Sequence, residues 1–137
     1  MTSYEIVYSR FLNSTTDFNL AELDDHTLNE MLKGWLHTAI VKTRTNSDLT
    51  YNDENEAFNN DLSDLDIELL AMSMRLSWLD QTLNSTELTH QFLGGKEEKF
   101  FSQANHMAEL RALRESTLME MQKLYTYSTY ANNSYFD

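Results

Sequence analysis

The sequence predicts an all-α fold, a small helical domain spanning residues 1–137, on three observations. No proline occurs in the 137 residues and only three glycines do, Gly34, Gly94 and Gly95, whereas turn-rich β and α/β folds use more of both. Leu, Met, Glu and Gln, all good helix formers, are abundant. Apolar residues return at helical spacing in several long segments. With 41% hydrophobic and 12% aromatic residues the chain can build a core, which separates it from disordered sequences.

The first predicted helix covers residues 4–12. Tyr4, Val7, Tyr8 and Phe11 share one face, Ser3 is placed to cap it, and residues 13–17 (NSTTD) read as a turn. A second helix begins near Asp24 and Asp25, where acids suit the positive end of the helix dipole, and runs to about Arg44. Leu28, Met31, Leu32, Trp35, Leu36, Ala39 and Ile40 form its apolar face. Gly34 costs about 1 kcal/mol against alanine in mid-helix, and close approach of a neighbouring helix is the expected reason for it.

Residues 45–62 form a predicted acidic loop. Between Thr45 and Asp66 stand seven acids and no Lys or Arg, with Leu49, Tyr51 and Phe58 as candidate anchors to the body. The third helix opens at Ser63-Asp64-Leu65-Asp66, a Ser-x-x-acid cap pattern, and is apolar nearly all round. It is the expected buried central helix, with Leu70, Met74 and Trp78 at the heart of the core. A short helical piece from Asn84 is expected to stop at Gly94-Gly95, and Lys96 to Lys99 to be a solvated charged stretch. The last helix is predicted from about Ser102 to Tyr130, roughly 43 Å long, enough for part of it to project or pack on a partner. Residues 126–137 make an extended aromatic tail. Tyr127, Tyr130, Tyr135 and Phe136 there, with Tyr125 just before it, are candidate interface residues, because a large apolar ring at the surface is costly unless it is covered, either by the chain's own body or by a partner.

Charge narrows the functions. Lys plus Arg number 10 and Asp plus Glu 22, a net charge of −12, which argues against contact-rich nucleic-acid binding. Residues 1–68 carry 14 acids and 4 bases (net −10), and residues 69–137 carry 8 and 6 (net −2), so the acidity is concentrated in the first half. With no cysteine there is no disulfide, thiolate metal site or cysteine nucleophile. His26, His37, His90 and His106 show no ligand spacing. Asp53-Glu54-Asn55-Glu56 lacks the glycine that an EF-hand loop needs at its sharp turn. No P-loop or Gly-x-Ser-x-Gly elbow is present. The reading is of a non-enzyme without cofactor or metal. The start, MTSYEIVYSRF, lacks the basic run and apolar core of an export signal, and no stretch is long and apolar enough to cross a membrane. The sequons at Asn13, Asn84 and Asn132 are read as incidental in an Asn/Ser/Thr-rich chain.

Residues 30–44 (EMLKGWLHTAIVKTR), 62–86 (LSDLDIELLAMSMRLSWLDQTLNST) and 99–125 (KFFSQANHMAELRALRESTLMEMQKLY), with a short helix before them and an acidic loop between the first two, resemble the helical head–tail connector (adaptor or neck) proteins of tailed bacteriophages. The resemblance implies a virion protein made in the host cytoplasm and placed in the neck. It would be a homo-oligomeric ring below the portal that extends the DNA channel and docks the tail, with portal and tail or neck proteins as partners. It carries over no catalytic residues. DNA would pass without tight binding, and Asp48, Asp53, Glu54, Glu56 and Asp61 are candidates to face that lumen. The alternative from composition is an acidic helical regulator or adaptor in the cytoplasm, with its carboxylates mimicking DNA.

Overall fold

The computed structural model describes residues 1–15, 24–45, 47–93 and 97–132, with side chains described for 1–15, 24–45, 47–84 and 106–127. It is mostly helical, with a small antiparallel sheet. In chain order the elements are β1 (Thr2–Ser3), α1 (Tyr4–Asn13), α2 (Asp25–Lys42), β2 (Tyr51–Asn52), β3 (Ala57–Phe58), α3 (Asp64–Leu93) and α4 (Glu97–Asn132).

Helix α1 forms where the apolar spacing requires it. Ser3 accepts the Glu5 amide through its hydroxyl, and Tyr4, Val7, Tyr8 and Phe11 are all buried. The Asp24 carboxylate caps α2 by accepting from the Thr27 amide, and Lys42 sits in the last turn. Ser63 caps α3 through the Asp66 amide. Helices α1, α2 and α4 each pack on α3, which is the central element. Leu70, Met74 and Leu79 are fully buried in one cluster with Trp78, Phe11, Leu36 and Phe58. The Arg10 guanidinium donates to Glu68 at 3.2 Å and ties α1 to α3 along the rim.

Helices α3 and α4 run antiparallel as a hairpin. Arg75 meets Thr117 at 3.2 Å and Asp80 meets Arg114 at 2.7 Å, so advancing along α3 means retreating along α4. Met107, Leu110, Thr117 and Met121 form the buried stripe of α4.

Four expectations change. The fold is not purely helical, because the acidic stretch carries a β-hairpin and its strand β3 also pairs with β1, giving the order β1-β3-β2. The third helix does not break at Asn84 but continues to Leu93. Helix α4 starts at Glu97, takes in most of the charged stretch, and runs on to Asn132 through half of the expected tail. At 36 residues it is about 54 Å long. The Gly94-Gly95 stop itself lies outside the described residues. Finally, no helix crowds Gly34: a Cβ built there meets nothing within 4 Å. Its missing methyl therefore reflects no packing need, and Gly34→Ala is expected to stabilise the protein by about 0.5–1 kcal/mol in urea denaturation.

Candidate functional site

The acidic hairpin is the most elaborated surface of the chain. Its four-residue turn, 53–56, is closed by the Glu56 amide donating to the Asp53 carbonyl at 3.3 Å, and the Asn52 side chain accepts the Glu54 amide at 2.8 Å. No glycine serves the turn. Glu56 takes the left-handed conformation instead, at φ 48°, which costs a non-glycine residue about 1 kcal/mol.

Asp53 fastens the turn to the body. One oxygen, Oδ1, accepts the Tyr4 hydroxyl at 2.7 Å and lies 2.9 Å from His37 Nε2, so a single carboxylate joins the hairpin to α1 and α2. The His37 ring stacks on Tyr51 at 5.4 Å, and Tyr4 packs edge-on to Phe58 at 5.3 Å. The Tyr4 hydroxyl bond, and then the bond with His37, hold the Asp53 carboxyl below the usual carboxylate range. Burial, reinforced by Asp53, raises the Tyr4 hydroxyl above its ordinary value, and burial with nearby Glu56 does the same for Tyr8. At the hairpin base the buried Asp66 carboxylate accepts both the amide and the hydroxyl of Ser47. Ser63 of the expected Ser-x-x-acid pattern caps the helix, and its acid, Asp66, reaches across to Ser47.

Since Asp53 has a depressed folded value, its contribution is present above the ordinary aspartate range and is lost as pH falls through its lowered one. Wild type and Asp53→Asn are expected to differ in stability at neutral pH and to converge below about pH 4, in denaturation curves recorded across pH. A gap that persists into strong acid would contradict this assignment.

Of the candidate lumen-facing acids, Asp48, Asp53, Glu54, Glu56 and Asp61 are all exposed. Asp61 pairs with the amino group of Met1, and Asp48 Oδ1 accepts the Thr50 amide. The Glu54 and Glu56 carboxylates take part in no hydrogen bond or ion pair within the described residues. Of the candidate aromatic interface, Tyr125 is half-buried with its hydroxyl accepting the Arg44 amide at 3.4 Å, which fixes the end of α2 against α4. Tyr127 is 72% exposed. Tyr130 lies in α4 with its side chain outside the described set, and Tyr135 and Phe136 lie outside the described residues altogether. The apolar spacing of the last helix puts Leu118 in its stripe with Met107, Leu110, Leu113, Met121, Leu124 and Tyr125, and counts Met119 among the adaptable core methionines, but both are exposed on α4, by 40% and 63%.

Among the described residues no three His, Cys, Asp or Glu gather to hold a metal, and no helix is long and apolar enough to cross a membrane. What the surface offers is charge on the hairpin and exposed apolar side chains on α4. Residues 1–125 match a protein-family model described as YomZ prophage protein. No curated protein and no solved structure matches.

Proposed function

From the premise that this chain belongs to the YomZ prophage protein family, we propose that it is a structural, non-enzymatic subunit of a phage particle, a head–tail connector that forms a ring below the portal. The observation that carries the reading is the uncovered apolar surface of α4, with Leu118, Met119 and Tyr127 exposed on a helix packed against α3. Large apolar side chains held at the surface of a long helix are available for contact with another chain. A head-to-tail interface that closes makes a ring of identical subunits. The portal and the tail or neck proteins are its proposed neighbours. The hairpin acids Asp48, Glu54 and Glu56 suit a lumen through which DNA slides, because like charge prevents phosphate adhesion.

Electron microscopy of induced particles carrying a labelled copy of the chain tests this. Label at the head–tail vertex is the expected result, and particles free of the chain would sink the reading. Removal of residues 128–137 should leave helicity and melting nearly unchanged while preventing incorporation. A sharp fall in melting would instead make the tail part of the subunit's own core. The unpaired carboxylates of Glu54 and Glu56 also keep the DNA-mimic reading open as a second proposal. There, Glu54→Gln with Glu56→Gln should abolish competition with DNA for a nucleic-acid enzyme. Asp53 is left intact in that test because it holds the hairpin.

A further inference from the structure

Arg75 is the only charged residue of α3 between Glu68 and Asp80, and it sits among buried neighbours. Its guanidinium donates to Thr117 Oγ1 at 3.2 Å, while its Nε is buried with no hydrogen-bond partner. No carboxylate pairs with it among the described residues, in a chain with 22 acids. Thr117 does not need the contact to satisfy its own proton, which its hydroxyl donates to the Leu113 carbonyl at 2.7 Å. A half-buried cation without a counter-ion is unfavourable in the lone subunit, whereas Arg forks suit carboxylates well.

The complementary feature is on the hairpin. Glu54 and Glu56 are exposed and pair with nothing among the described residues, and Glu56 holds a strained left-handed conformation where Gly or Asn would fit more easily. We propose that the hairpin tip of one copy docks on the α3–α4 surface of the next beside Arg75, placing Glu54 or Glu56 on its guanidinium. The contact uses different surfaces on the two copies, so it is head-to-tail and leaves one donor and one acceptor free at the ends of any short assembly. It rests on the self-assembly put forward under Proposed function, and it moves Glu54 or Glu56 from the lumen into the subunit contact, leaving Asp48 and the remaining hairpin acids to the lumen.

The test uses the full chain in sedimentation at rising concentration, with two variants, Arg75→Met and the pair Glu54→Gln/Glu56→Gln. Wild type is expected to associate, and each variant alone to associate at least tenfold more weakly. A one-to-one mixture of the two should form a dimer and nothing larger, since together they retain one intact Arg75 and one intact acidic tip. The Arg75→Met monomer should also melt about 2–6 °C above wild type, because an unpaired buried donor has gone. Lower melting would show that Arg75 serves the fold and would overturn the proposal. Wild type that assembles with both variants assembling equally well overturns the contact but leaves the ring. Wild type that never associates removes both. Retention of duplex DNA by wild type but not by Arg75→Met would assign the guanidinium to phosphate and likewise overturn it.

Discussion

Replacing Trp78 with alanine is expected to destabilise the protein by about 3–5 kcal/mol, the usual range for deleting a buried aromatic side chain. Small domains are stable by only about 5–15 kcal/mol in total, so much of the margin would disappear. Trp78 is 5% exposed on the central helix, and its indole meets Phe11 edge-on at 6.5 Å. Phe11 in turn lies 5.6 Å from Trp35 on α2, so the one ring helps hold α1 and α2 on the same side of α3. Alanine would leave a cavity bounded by three helices, and none of them can move into it without leaving another partner. Trp35 then remains as the only tryptophan, itself buried, with its indole N–H donating to Gln81 at 3.1 Å. Its emission in a urea titration reads the loss directly: the midpoint should fall strongly with little change in slope. Trp78→Phe should recover a good part of the loss. A midpoint that barely moves would mean that the three-helix junction is not where the core is consolidated.

The core was legible because it depends on period alone. Tyr4, Val7, Tyr8 and Phe11, and then Leu32, Trp35, Leu36 and Ala39, lie where 3.6-residue spacing puts them, and Leu70, Met74 and Trp78 are buried as the apolar density of α3 requires. The hairpin was not legible, for physical reasons. Its strands are two residues each, too short to display alternation, and Tyr51-Asn52 and Ala57-Phe58 carry no strong strand signal. The turn contains no glycine, because Glu56 accepts the strained conformation. Helix ends failed differently. Asn84-Ser85-Thr86-Glu87 has the composition of an N-terminal cap, a local preference of about 1 kcal/mol, yet α3 runs through it. The acidic character of the hairpin was visible in composition. That Asp53 lies against Tyr4 and His37, 49 and 16 positions away in sequence, follows from the fold alone. Arg75 stood out as a lone charge, but that no carboxylate among the described residues pairs with it is a property of the packed helices.

Phe58→Ala is the second large effect, also about 3–5 kcal/mol, but distributed differently through the molecule. Phe58 is fully buried, packs edge-on against Tyr4, and pairs across the sheet with Thr2 on one side and Tyr51 on the other. The sheet has few ladder bonds, so its hold on the helices comes chiefly from this ring, with Asp53 adding a polar tie at the rim. Without Phe58 the hairpin loses its anchor while the α1–α3 and α2–α3 contacts keep theirs. Hydrogen exchange should therefore show protection lost first at Tyr4, whose amide donates to the Glu56 carbonyl, at Asn59, which donates to Thr50, and at Leu62, which donates to Thr2 Oγ1. Amides in the middle of α3 should remain protected until global unfolding. Asp53→Asn in the same assay should release the turn but spare Leu62, because the apolar anchor remains. If Phe58→Ala lowered protection evenly across all four helices, hairpin and helices would form one cooperative unit, and undocking the acidic surface would mean unfolding the subunit.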